Sequence, residues 1–522
     1  MRLNVLSAAA LAAAPAVEAK AKNFVYVVPD GFGTASQVMA RDFQNIVNGE
    51  GTVERPNAAI IGADSMIMGS VRTYSSDNLV TDSAASGTAF ACGIKTYNGA
   101  IGVDDDGKPV GSVLEAAHLS GLKTGLVVTS RITHATPASY SAHVLDRDSE
   151  NEIASHQIGH THPFGPYVDI LLGGGRQHYL PTSEGGSRDD DVNLVDFALE
   201  NGYTYASDVA GIEDVLVDGG KKLPLPFLGL LADSHLDYEM DRDPEEQFSL
   251  LKMVELALAS LESSGASPNS TKLHRRADED EDAGFFLMVE ASRVDHAGHA
   301  NDAASHVHEA LMFNEVMAHL KTYVTSHPDT QLLSAADHEC GGLTLMDGFD
   351  PTVLARAQNS GEHLEALFDA LEDGEDKAAY LKDTLLPLYG MTEGSFTDDD
   401  VAVWLDVYES EGTTAMSTAI LHAFAAEAGV NWSTGGHTAA DVQLHGFAAG
   451  DDAWVAMRRE LGTNVNNIEL PVYVQKALGL AKTMDDATEA LRKDGVDWVQ
   501  RRDMLEVIKR DNAAARHHAH HS

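Results

Sequence analysis

The chain has 522 residues, 43% hydrophobic and 22% charged, enough apolar material for one large domain with insertions or for two domains. With 36 Lys and Arg against 80 Asp and Glu, the formal net charge is −44, which argues against a nucleic-acid binder or a polybasic membrane binder. Two cysteines, Cys92 and Cys340, cannot build a disulfide framework and are read as free buried thiols, whereas 24 histidines invite a search for metal ligands.

In chain order, residues 1–19 carry Arg2, an Ala-rich apolar stretch broken by Pro15, and small residues around Val17-Glu18-Ala19. This is the pattern of a signal peptide, too short to span a bilayer, and implies a secretory route ending outside the cell, in a vacuole or in a periplasm. No later apolar run predicts a membrane span. Apolar, β-branched runs at 24–28, 124–129, 169–172, 285–289 and 331–335 predict buried strands of the parallel kind. Helical stretches at 111–118, 245–261 and 303–319 lie between them, so the expected fold is α/β, a mostly parallel sheet flanked by helices. Several strands end in Asp, Glu or His, and in such sheets a site lies beyond the carboxyl ends of the strands.

Residues 263–284, rich in Ser, Asn and acid and holding Arg275-Arg276, predict an exposed loop. Residues 347–430 read as a helical, acidic insertion, dividing a core of 23–346 and 431–485. A C-terminal helix and His-rich tail fill 486–522 and offer no hydrophobic lipid-anchor signal. Asn269 and Asn431 fit the N-glycosylation pattern.

The candidate ligands come in clusters. Glu290, Asp295, His296 and His299 follow one strand, Asp337-His338 follow another, Asp30 follows the first, and His437 stands alone. Mixed imidazole and carboxylate is a common zinc set, and buried carboxylates need partners. Ser83, after Asp82, opens a run of small residues. It is either a helix N-cap or a nucleophile that a metal ion and a helix N-terminus would activate, since no G-x-S-x-G elbow surrounds it.

Residues 81–89, TDSAASGTA, continuing through GIKTYNG at 93–99, resemble the nucleophile motif of alkaline phosphatases. VPDG at 28–31, HATPA at 134–138, 143–147, 169–176, 285–299, ADH at 336–338 and GGHT at 435–438 follow in that family's order. The resemblance implies the family's sandwich fold with a helical crown-like insertion, homodimers, and hydrolysis of phosphate monoesters through a phosphoserine at Ser83. It implies one zinc on Asp295, His299 and His437, a second on Asp30, Asp337 and His338, and a magnesium on Asp30, Thr136 and Glu290. Arg147 would hold phosphate oxygens. His134 and His296, standing where some bacterial members carry Asp and Lys, would tune the magnesium site from behind its ligands. The calcium site of animal members is not evident. A phosphodiesterase of the same superfamily or a non-catalytic acidic metal-binding protein are the alternatives. A missing C/S-x-P-x-R motif speaks against a sulfatase, the arginine after His143 against a diesterase, and the complete ligand set against a non-catalytic role.

Overall fold

A computed structural model describes residues 20–57, 59–262, 284–372 and 374–499. The predicted signal segment, the acidic loop with Asn269 and Arg275-Arg276, and the His-rich tail lie outside the described residues. Ten strands form the central sheet: β1 (Asn23–Pro29), β2 (Ile67–Arg72), β3 (Lys123–Arg131), β4 (Ile170–Gly174), β5 (Thr204–Ala206), β6 (Phe227–Leu230), β7 (Phe285–Ala291), β8 (Thr330–Ala335), β9 (Val442–Ala448) and β10 (Asn464–Asn466). Their order is β10-β2-β9-β8-β1-β7-β3-β4-β6-β5. All pairings are parallel except those of β9, which runs antiparallel to both β2 and β8.

The five predicted strands are all present. They are buried on both faces by flanking helices, which is why they read as unbroken apolar runs rather than alternating ones. β1 sits at the centre, pairing with β7 through Val28 and Glu290 and with β8 through Phe24 and Gln331.

Helices Val113–Leu119 and Leu250–Leu261 occupy two of the predicted helical stretches. The second starts at Leu250 rather than 245 because Ser249 supplies the N-cap, accepting the Lys252 N–H at 3.2 Å. Among residues 347–430, helices Gly361–Asp369, Asp398–Glu411 and Thr413–Glu427 pack Leu364, Trp404, Leu421 and Phe424 into an apolar cluster that continues into Met39, Phe43 and Ala304 of the main body. Among the described residues no helix is long and apolar enough to cross a membrane.

Candidate active site

The sheet order explains how residues far apart in sequence converge. β8, β1, β7 and β3 are consecutive neighbours and all parallel, so their carboxyl ends open on one side. Asp337 and His338 follow β8, Asp30 follows β1, and Glu290 lies near the end of β7. His134 and Thr136 follow β3, Thr136 in helix α2 when the helices are taken as α1 (Ser83–Cys92), α2 (Ala135–Ser141), α3 (Arg293–Ala300) and α4 (Ala303–Ser326). α3 carries Asp295 and His299 one turn apart, hence on one face. Gly31 has a left-handed φ of 72°, and a Cβ there would meet Asp295 Cα at 2.6 Å, so only glycine lets Asp295 approach Asp30.

Ser83 is not the N-cap of α1. Asp82 takes that place, its Oδ1 accepting the Ala85 N–H at 2.9 Å, which leaves the Ser83 hydroxyl for other work at the first helical position. Its Oγ is buried and lies 3.0 Å from His338 Nε2. α1 packs closely on α2 because Gly87 has no side chain; a Cβ would come within 2.9 Å of Ser139 Oγ. The Ser86 hydroxyl donates to the Asp337 carbonyl at 2.8 Å and ties α1 to the end of β8.

Two groups of ligand-type atoms flank Ser83. Asp30, Asp337 and His338 present atoms all within 4.8 Å of one another, and so do Asp295, His299, His437 and Cys340. His338 Nε2 is 3.1 Å from Asp337 Oδ2 and 3.7 Å from Asp30 Oδ1. His299 Nε2 is 3.2 Å from Asp295 Oδ2, and His437 Nε2 is 3.6 Å from Asp295 Oδ1. Both Asp30 oxygens, Asp337 Oδ2, Asp295 Oδ1, Glu290 Oε1 and Thr136 Oγ1 are buried without a hydrogen-bond partner. Orphaned buried oxygens in this number are costly unless a cation sits among them.

The electrostatics agree. Burial, then the charges of Asp337, Asp295 and Glu290, push Asp30 well above the usual carboxylate range. Burial and Asp295 raise Asp337, and burial with Asp337 raises Glu290 to about 7, even though Ser130 and Ser292 donate to its Oε2 at 3.2 and 2.6 Å. Asp295 goes the other way: burial opposes ionisation, but the hydrogen bond from His299 and the neighbouring imidazoles hold it low. His437 Nδ1 faces the Thr81 carbonyl at 2.9 Å and His299 Nδ1 faces the Gly435 carbonyl at 2.7 Å. Carbonyls only accept, so both Nδ1 atoms carry protons; burial opposes a charge on His299, but the Asp295 carboxylate raises it to about 9, so without a cation its Nε2 also carries a proton towards Asp295, and the two Nε2 atoms lie 3.0 Å apart. Such anchoring from behind is how imidazoles are aimed at a metal. The donor types therefore fit cations: nitrogen and carboxylate on one side, and oxygen alone at Asp30, Thr136 and Glu290 on the other.

Arg147 spans the far wall. Its Nη1 donates to Asp82 Oδ2 at 3.2 Å and its Nη2 lies 3.2 Å from His134 Nε2. His134 and His296 rings are 5.4 Å apart, and both imidazoles are held below their ordinary range, by burial and then by Arg147 and Arg293 respectively, His296 to about 3. A cavity of about 420 Å³ opens here, with Ser83, Arg147, His299 and His437 in its lining. All twelve residues singled out from the sequence thus lie in one connected site.

Three residues escaped that reading. Asp82 caps α1 and holds Arg147, a role visible in the T-D-S triplet had its carboxylate been weighed as a cap. His235 meets the His296 ring edge-on, with centroids 4.3 Å apart, and contacts Arg131, but a lone histidine in a loop gives no sequence signal. Cys340, opposite His437 in a two-residue ladder, joins the Asp295 group. Both cysteines are free and buried.

Comparison with known proteins follows the same lines. The family model described as alkaline phosphatase matches residues 21–480. The repressible alkaline phosphatase of Saccharomyces cerevisiae is 39% identical over 500 residues, spanning 91% of this chain and 84% of that protein. The alkaline phosphatase of Schizosaccharomyces pombe is 35% identical over 485 residues, with the same coverage of 91% and 84%. Among solved structures, Thermus thermophilus alkaline phosphatase superposes with a TM-score of 0.71 at 25% identity, covering 94% of this chain and 100% of that one. The cold-active enzyme of a Shewanella species gives 0.69 at 25% identity, covering 87% and 99%.

Proposed function

The chain belongs to the alkaline phosphatase family and hydrolyses phosphate monoesters, and from that premise we propose how its residues divide the work. Ser83 is the nucleophile. The observation that carries this is its buried Oγ at the start of α1, facing His338 Nε2 at 3.0 Å between two groups of ligand-type atoms.

Asp295, His299 and His437 hold one zinc ion, Asp30, Asp337 and His338 a second, and Asp30, Thr136 and Glu290 a magnesium ion. The orphaned oxygens of these residues support the assignment. When bound, the ions neutralise the carboxylates and stabilise negative charge on the attacking and leaving oxygens. Ser83 Oγ gives up its proton to solvent and bonds to phosphorus while the bond from phosphorus to the ester oxygen breaks, and that oxygen takes a proton from water, so the alcohol leaves with no net proton change. A water then attacks the phosphoserine, returning Ser83 and releasing phosphate. The amide dipoles of α1 favour the negative charge that develops on Oγ. Arg147 grips the non-bridging oxygens with its planar fork, a role that suits the doubly charged terminus of a monoester. His134 and His296, kept neutral, border the magnesium ligands without competing as cations.

We further propose export through a secretory pathway, with residues 1–19 as signal and the exposed Asn431 among the glycan acceptors, and assembly as a homodimer. The deciding experiment for the nucleophile is Ser83→Ala assayed with a chromogenic monoester and with labelled phosphate. Turnover falls by on the order of 10³-fold or more and covalent labelling disappears. A variant that still takes up label identifies another nucleophile.

A further inference from the structure

Behind Arg147 lies a second buried ionisable cluster, for which the hydrolysis described above has no use. Glu115, His143 and His162 are all buried, and their ligand-type atoms lie within 4.8 Å of one another. Glu115 Oε2 accepts the Ser112 N–H at 2.7 Å, and Oε1 lies 2.9 Å from His143 Nε2 and 3.0 Å from His162 Nε2. His143 Nδ1 lies 2.7 Å from the Gly102 carbonyl. A carbonyl and a carboxylate both accept, so each His143 nitrogen carries a proton and the ring forms a buried ion pair with Glu115. Its partners keep Glu115 below the usual carboxylate range although burial alone would raise it. His162 Nδ1 is faced by the Phe164 N–H at 3.3 Å, and its Nε2, though 3.0 Å from Glu115 Oε1, is buried outside hydrogen-bonding geometry. The Ser112 N–H and His143 thus give both Glu115 oxygens a donor without a cation.

The pair is continuous with the active site. Ile101 and Val144 exchange backbone hydrogen bonds of 3.1 and 3.0 Å, and the Arg147 N–H donates to the Gly99 carbonyl at 2.8 Å. The Gly99 N–H in turn donates to Asp82 Oδ2 at 3.0 Å, the same oxygen that receives Arg147 Nη1. Residues 99–102 and 143–147 therefore form a short ribbon, about 10 Å long by strand rise. The Glu115–His143 pair fastens one end, and Arg147 with the cap of α1 occupies the other. Gly102 makes the fastening possible: with φ at 59°, a Cβ there would come within 2.7 Å of His143 Nδ1.

We propose that Glu115 and His143 are positioning residues that set the register of this ribbon and so aim the Arg147 guanidinium at the phosphoryl oxygens. A buried ion pair contributes little net stability over apolar packing, but it fixes one arrangement, and that suits a guanidinium whose fork must meet two oxygens at once. The inference rests on the reading of Arg147 as the phosphate clamp.

The test is a double-mutant cycle on the metal-loaded full chain. KM, kcat and the inhibition constant for inorganic phosphate are measured for Glu115→Gln, His143→Gln, Arg147→Ala and each of the first two combined with Arg147→Ala. Each first-pair variant raises KM and the phosphate constant together by on the order of 10-fold, with kcat/KM falling up to about 100-fold, as expected of a misplaced clamp. In the Arg147→Ala background the further loss vanishes, because nothing remains to be aimed. Equal losses in both backgrounds, or no change in the phosphate constant, overturn the proposal while leaving Arg147 as the clamp. An Arg147→Ala chain with unaltered phosphate affinity removes the clamp itself and the proposal with it. Glu115→Gln keeps shape and an acceptor, so the cycle can be run even if His143→Gln does not fold. A metal ion beyond the active-site complement, lost in the His143 or Glu115 variant, makes the cluster a ligand set and overturns the positioning role.

Discussion

Glu115 and Glu290 are both fully buried glutamates, yet they sit on opposite sides of the ordinary carboxylate range. Glu115 accepts from the His143 imidazole and the Ser112 N–H, with the His162 ring beside them. Glu290 shares its neighbourhood with Asp30, Asp337 and Asp295, and its Oε1 has no hydrogen-bond partner. Both Glu115 oxygens are satisfied by the chain's own donors. The Glu290 cluster is complete only with external positive charge. On the proposed assignments, the same residue type, equally buried, serves a structural tie in one place and a cation site in the other, and the partner inventory rather than the burial separates them.

Stripping the metals is the most drastic way to break the comparison. Dialysis against a chelator abolishes hydrolysis and destabilises the fold, since each ion bound at a thousandfold excess over its Kd contributes about 4 kcal/mol. Zinc and magnesium together restore both. The melting temperature and metal content, followed along with activity, check this; full activity in metal-free protein contradicts the cation reading of the Glu290 cluster.

Next in size is the pH response of the metal-free protein. Glu290 has a folded value of about 7, above that of an unfolded glutamate, so the folded state holds its proton more tightly. Its contribution is fully present below about pH 4, falls as the pH rises, and is gone above about pH 7, a loss of about 3 kcal/mol. Metal-loaded protein, whose carboxylates are kept ionised by the cations, lacks this loss. Denaturant unfolding of both forms from pH 4 to 8 isolates the difference, because all groups remote from the site cancel; parallel curves for the two forms would contradict it.

The Glu290 side of this contrast is legible in the sequence; the Glu115 side is not. The strands that carry Asp30, Glu290 and Asp337 are buried on both faces, so their apolar runs stand out and their polar ends mark the site. β2 and β9 lack a clean apolar run: β2 mixes buried and exposed positions, β9 alternates buried and half-buried ones, and Gly69 and Gly446 sit within these short, polar-interrupted segments. β5 and β6 are only three and four residues long. The Glu115–His143 pair was invisible for another reason: its members come from a helix and a loop 28 positions apart, and each alone reads as an ordinary polar residue. Only the ribbon of 99–102 against 143–147 joins them, and its pairing has no signature in composition or period.

Substitution sharpens the comparison with a sign. In metal-free protein at pH 8, Asp30→Asn removes one of several mutually repelling carboxylates and raises stability by about 1–3 kcal/mol, although the same change costs the loaded enzyme its activity. Glu115→Gln strips a partner from buried imidazoles and lowers stability by a similar amount. Thermal melting of the two variants side by side reads the sign. If both move in the same direction, the distinction between a paired and an unpaired cluster fails.

The smallest expected effect tests the residue that touches both regions. Asp82 Oδ1 caps α1, while Oδ2 accepts from Gly99 at the ribbon and from Arg147 at the site. Asp82→Asn keeps a side-chain oxygen for the Ala85 N–H, and asparagine is as good an N-cap as aspartate, so the helix that begins at Ser83 persists. The amide, however, turns an NH₂ group towards two donors, the Gly99 N–H and the Arg147 guanidinium, and the charge that opposed Arg147 is gone. The cost is about 1 kcal/mol, appearing as a several-fold rise in KM and in the phosphate inhibition constant with little change in melting temperature. Asp82→Ala, which also removes the cap, loses a further ~1 kcal/mol of stability. If the asparagine variant matched the alanine one in stability, capping would not be what Asp82 does for Ser83. If phosphate affinity stayed unaltered in both, the hydrogen bond to Arg147 would have no part in holding substrate.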